Sequence, residues 1–156
     1  MEVEELLELF NVKDYKITPR GVNIYESVQI PENIHIQKIP FNINICFGTF
    51  SIIRNELTTL ENCPRKIYGD FHCGWNKLTS LENGPSYIDG NYYCYSNLLE
   101  SNFSNTIVTK KFHTSLKEYG LEFINNSYVV DNYRIWQEMV KRKRILDKLK
   151  NKNYYV

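Results

Sequence analysis

The sequence predicts an α/β solenoid. A short parallel β array of 21-residue units is closed by an N-terminal helix and hairpin and by a C-terminal helix. Three observations predict it. Glycine and asparagine recur at a 21-residue interval, at Gly48, Gly69 and Gly90 and at Asn55, Asn76 and Asn97. Between them apolar and polar residues alternate, as in Phe71 and Cys73 against Asp70, His72 and Gly74, so one strand face turns inward and the other outward. Each of the first two units then continues through a leucine pair, Leu57 with Leu60 and Leu78 with Leu81, into a proline break at Asn62-Cys63-Pro64 and Asn83-Gly84-Pro85.

In chain order, Glu2 to Phe10 forms a short acidic amphipathic helix, with Leu6, Leu7 and Phe10 placed to cover the first rung. Asp14 to Ile24 reads as a hairpin turning at Pro19-Arg20-Gly21. Together 1–27 make an N-terminal cap and 28–101 the array, within one domain of 156 residues. A faint first rung precedes Gly48. Ile36 and Ile39 are in register with Leu57 and Leu60 and Pro40 follows directly, whereas Val28 and Ile30 sit one residue out and Ile34 replaces the asparagine. This rung therefore has a slightly different length. The return arm is short and Pro-rich, so irregular or 3₁₀ structure is expected there. The third unit decays, with Asn102 in the Leu60/Leu81 position, as terminal repeats do. In the C-terminal cap, 102–156, Phe103, Ile107 and Val108 suggest a last strand, Ser115–Tyr119 a helical turn ending at Gly120, and Phe123 to Val129 an extended arm. Asp131 caps a helix over 131–150, with Ile135, Met139, Leu146 and Leu149 at helical spacing.

The pattern Tyr68-x-x-Phe71-x-Cys73-x-x-Asn76-x-Leu78 fits the leucine-rich-repeat template, aromatics and cysteine replacing some leucines. Asn55-Glu-Leu-Thr-Thr-Leu-Glu-Asn-Cys-Pro64 and Asn76-Lys-Leu-Thr-Ser-Leu-Glu-Asn-Gly-Pro85 resemble the short leucine-rich-repeat proteins of large tailed bacteriophages and giant viruses. The lead-in Tyr15-Lys-Ile17 to Val22-Asn-Ile24 is similar to that family's N-terminal hairpin, and the resemblance spans about residues 14–107. It implies a viral protein acting in the host cytoplasm on a host protein, one of defence or regulation. The residues of the array do not name an activity by themselves.

Composition excludes several classes. With 42% apolar residues the chain has material for a core. It has no 18-residue apolar run for a membrane span, and its start, Met-Glu-Val-Glu-Glu, lacks a basic signal-peptide region, so a cytoplasmic location is expected. The four cysteines lie in apolar settings: Cys73 and Cys94 share the slot of Ile52, and Cys46 that of Ile67 and Ile88. They read as small core residues rather than as a disulfide or metal site. No nucleophile elbow, zinc-protease, phosphate-loop or dinucleotide motif is present, and the three histidines have no partner at ligand spacing, so neither catalysis, cofactor nor metal is expected.

The outward positions of the strand face are Thr49, Ser51, Ile53 and Arg54; Asp70, His72, Gly74 and Trp75; and Asn91, Tyr93, Tyr95 and Ser96. Large rings on a rigid sheet make good binding anchors, so His72, Trp75, Tyr93 and Tyr95, with Asp70, Asn91, Ile53 and Arg54, are the candidate partner-binding residues. The competing reading packs those rings under residues 103–130. The charge is uneven. Residues 134–156 hold eight Lys/Arg against two Asp/Glu, net +6, and the rest holds 11 against 16, net −5. An alternative function is therefore nucleic-acid binding through Lys141, Arg142, Lys143, Arg144 and Lys148, with exposed aromatics stacking on bases. A second copy of the chain remains open as a partner.

Overall fold

The computed structural model of the chain describes residues 1–99, 106–110, 112–114 and 145. Its architecture is a parallel β-solenoid of about four turns with one short helix. The helix, α1, spans Val3–Leu9. Its first turn is held by the Glu2 N–H donating to Glu5 Oε2 at 2.9 Å. Leu7 and Phe10 are buried, Phe10 lies 5.6 Å from Phe41, and Leu6 packs beside them. The helix thus covers the first turn, as its apolar spacing predicts.

Strands β1 (Tyr15–Thr18) and β2 (Gly21–Ile24) form the expected hairpin, antiparallel, with Thr18 opposite Gly21. Only β1 is purely a cap. β2 pairs in parallel with β4 (Ile43–Cys46), so the array begins at Gly21 rather than at residue 28.

Each turn carries two short strands, where the repeat pattern suggested one. One sheet contains β1, β2, β4, β6 (Lys66–Ile67), β8 (Tyr87–Ile88) and β10 (Ile107–Val108), in that spatial order. The other contains β3 (Val28–Gln29), β5 (Phe50–Ser51), β7 (Phe71–His72), β9 (Tyr92–Cys94) and β11 (Phe112–Thr114), each beside the next. The predicted strand at Phe71 belongs to this second sheet. Between the sheets' far ends the chain returns through turns without helix among the described residues, so the α/β description reduces there to β strands and α1.

Register follows the sequence period. Phe50, Phe71 and Tyr92 stand above one another, as do Cys46, Ile67 and Ile88. Val28 pairs with Phe50, a 22-residue step, whereas the following steps are 21 residues. The extra residue falls between Ile30 and Ile36, where Asn33 and His35 both adopt positive φ. The core is a set of columns rather than a cluster: Phe50–Phe71–Tyr92, Ile52–Cys73–Cys94, Leu57–Leu78–Leu99 and Ile39–Leu60–Leu81, all buried. The four cysteines are free and buried. Burial pushes all four thiols up, Cys46 to about 11.

Polar columns tie successive turns together. Asn76 donates to Ile52 O at 2.8 Å and accepts from Leu57 N at 3.1 Å. Asn97 donates to Cys73 O at 3.0 Å and accepts from Leu78 N at 3.0 Å. The recurring asparagines form a ladder in which each amide reaches back to the preceding turn. A second ladder runs along the corner between the sheets. The N–H of Thr49 donates to Ser27 Oγ, that of Asp70 to Thr49 Oγ1, and that of Asn91 to Asp70 Oδ1. The recurring glycine makes this corner tight: a Cβ would stand 2.6 Å from Thr49 N at Gly69, and 2.5 Å from Gly69 O at Gly90.

The predicted C-terminal helix 131–150 and the elements expected between 115 and 130 lie outside the described residues, Ile145 apart. Ile107 and Val108 do form a strand, as expected. β11, at 112–114, was not expected from the sequence.

Candidate functional site

The outer face of the five-stranded sheet presents Ser51, His72 and Tyr93 in register. Their inward neighbours, Phe50, Phe71 and Tyr92, are core, so strand alternation fixes the outward set. The His72 and Tyr93 rings stack at 4.4 Å between centroids and 15° between planes, about one strand spacing apart. Tyr95 stands nearly perpendicular to both neighbours: 6.3 Å and 81° from Tyr93, and 4.6 Å and 88° from Trp75. The structure therefore brings together the four rings that the sequence singled out. Three are half-buried, and Trp75 is 41% exposed.

Trp75 sits where the chain leaves the strand and turns. Its φ is +50°, and Arg54 and Ser96, at the same position of the neighbouring turns, are left-handed too. The solenoid corner takes this conformation in three successive turns. Asn suits it, whereas other side chains raise the energy by about 1–2 kcal/mol. Arg54 and Trp75 are therefore not there for the backbone's sake. Side by side in consecutive turns they make a cation–π pair, the guanidinium carbon 5.0 Å from the ring centroid. Glu32, one turn further back, meets Arg54 Nη1 at 3.4 Å.

Two predicted site residues, Asp70 and Asn91, have other roles, and one position expected to face outward does not. Gly74 is buried, not outward; its Cα lies under the Tyr95 ring, whose Cε2 would be 3.2 Å from a Cβ. Asp70 and Asn91 belong to the corner ladder, Asp70 Oδ1 accepting from Asn91 N at 2.7 Å and from Asn91 Nδ2 at 3.1 Å. Ile53 is half-buried beside Arg54. Lys141, Arg142, Lys143, Arg144 and Lys148 lie outside the described residues.

Electrostatics at the face are mild. Burial lowers the His72 pKa, with the nearby Asp70 carboxylate opposing, so the imidazole is neutral at pH 7. Burial raises the Tyr93 phenol, and Asp70 and Tyr95 add to it. Asp70 is thus close enough for its charge to bear on both rings.

Sequence reasoning missed a second aromatic column. Tyr25, Phe47 and Tyr68 stack at 5.1 and 5.4 Å, nearly parallel, and are 44%, 46% and 43% exposed. Each follows directly after a strand of the six-stranded sheet. The signal was there, at steps of 22 and 21 residues, but in a part of the unit not read as strand.

Among the described residues no group of His, Cys, Asp and Glu could hold a metal ion, and no helix is long and apolar enough to cross a membrane. Comparison of the chain with known protein families, with curated proteins and with solved structures gives no match in any of the three.

Proposed function

We infer that the chain is a non-enzymatic protein-binding module, a short leucine-rich-repeat-like array that engages a partner protein through its aromatic row. The observation that carries this reading is the continuous contact His72–Tyr93–Tyr95–Trp75, set on short parallel strands whose backbones are bonded turn to turn. Rings held this way lose little freedom on binding and bring much apolar area. The resemblance of residues 55–64 and 76–85 to viral repeat proteins supports a host protein, of a defence or regulatory kind, as the partner that is inhibited or redirected in the host cytoplasm.

The test is capture from host extract on the immobilised full chain, followed by mass spectrometry. A partner retained by the wild type and lost by Tyr93→Ala with Tyr95→Ala, both proteins melting at similar temperature, supports the reading. Retention by that double variant defeats it. Capture that vanishes between 50 and 200 mM salt, and on charge reversal of Lys141 to Arg144, would replace it with nucleic-acid binding through the basic segment.

A further inference from the structure

Two neighbouring columns of the five-stranded sheet's face each set an aromatic ring near a carboxylate, but only one of them has a cation beneath the ring. In the corner column the ring of Trp75 has the guanidinium of Arg54, from the turn before, beneath it, and Glu32 at the guanidinium's edge. In the column of His72 the residue from the turn before is Ser51, in register directly below. The imidazole stacks on Tyr93 above, so its other face looks down over a hydroxymethyl group. Asp70, in the same turn, stands by as the carboxylate. Its Oδ1 is used by Asn91, and among the described residues no cation pairs with it, whereas Arg54, Lys77 and Lys38 each have a carboxylate. Ring and carboxylate are thus both present, and among the described residues no cation joins them as Arg54 joins Trp75 and Glu32.

We propose that the space under His72, floored by Ser51 and edged by Asp70, receives an arginine side chain from a basic segment of the partner. The proposal rests on the protein-binding reading and gives that partner its chemistry. A guanidinium is flat, stacks on an aromatic face and offers its N–H edge to a carboxylate, which an ammonium does less well. The surrounding charge agrees. Residues 1–99 hold 8 Lys/Arg against 12 Asp/Glu, net −4, so a basic segment is drawn to this part of the molecule. The neutral imidazole at pH 7 offers its face without repelling a cation.

The probe is an octapeptide of alternating glycine and arginine, compared with the same peptide carrying citrulline, which keeps the planar shape and loses the charge. Binding is read from the His72 imidazole resonances of the full chain. The arginine peptide should bind at least tenfold tighter than the citrulline peptide. Asp70→Asn retains an oxygen for Asn91 and should weaken binding at least fivefold. Ser51→Arg places the chain's own cation in the space and should do the same in a folded protein, checked by its unfolding temperature. Glu82→Gln, an exposed carboxylate on the return arm, should change nothing. Equal binding of the citrulline peptide, no effect of Ser51→Arg, or equal losses in Glu82→Gln and Asp70→Asn would overturn the proposal. If the captured partner is lost by the tyrosine double variant but kept by both Asp70→Asn and Ser51→Arg, the module binds protein and the arginine assignment alone is wrong.

Discussion

His72 shows how one residue's environment sets a measurable property. Its folded pKa lies below the ordinary value because burial disfavours the imidazolium. The unfolded chain therefore binds more protons than the native one once the pH drops below about 6.5, the unperturbed histidine value. The stabilising effect is complete above that pH and is lost as the pH falls toward the folded pKa. His72→Phe keeps a ring against Tyr93 and removes the titration. The variant's unfolding temperature should change less than the wild type's between pH 7.5 and pH 5.5, measured by circular dichroism. The same residue was legible in the sequence as outward and aromatic, because alternation places it opposite Phe71. The left-handed backbone of Arg54 and Trp75 was not legible. Neither residue type marks that conformation.

At the scale of elements, the asparagine column does most to hold the corner after the second strand. Asn76 is buried, and its amide serves Leu57 N and Ile52 O of the previous turn. Asn76→Ala leaves both without a partner, a loss of roughly 3 kcal/mol at about 1–3 kcal/mol per buried group. Asn55 makes only longer bonds, 3.2 Å each, to Pro31 O, Ile53 O and Ile34 N, where the first turn carries its extra residue. Asn55→Ala should therefore cost less than Asn76→Ala, and urea unfolding of the two variants checks the order. The role of this column was readable from its period alone. The second strand in each turn was not. β6 and β8 are two residues long, and two residues carry no alternation to read. Their columns appeared in the sequence only as slots where Cys46, Ile67 and Ile88 replace one another.

The whole molecule is a stack in which the strands pair only with those of adjacent turns, so its stability is close to a sum over turns and junctions. A second copy of residues 58–78 inserted after Leu78 keeps the 21-residue register and adds one interior turn. It should raise the unfolding temperature, as read by calorimetry; a fall would mean that the interior turns are not interchangeable. The copied unit carries His72 and Trp75 again, so a complete row beside Tyr93 and Tyr95 is kept and partner capture should persist in the lengthened chain. The face is drawn from the depth of the stack: Glu32, Arg54, Trp75 and Tyr95 come from four successive turns. A chain wound only partway, or wound with a slipped coil, cannot show this face. Under the proposed protein-binding reading, recognition would double as quality control, since a partner would pass over unfinished copies without any separate check.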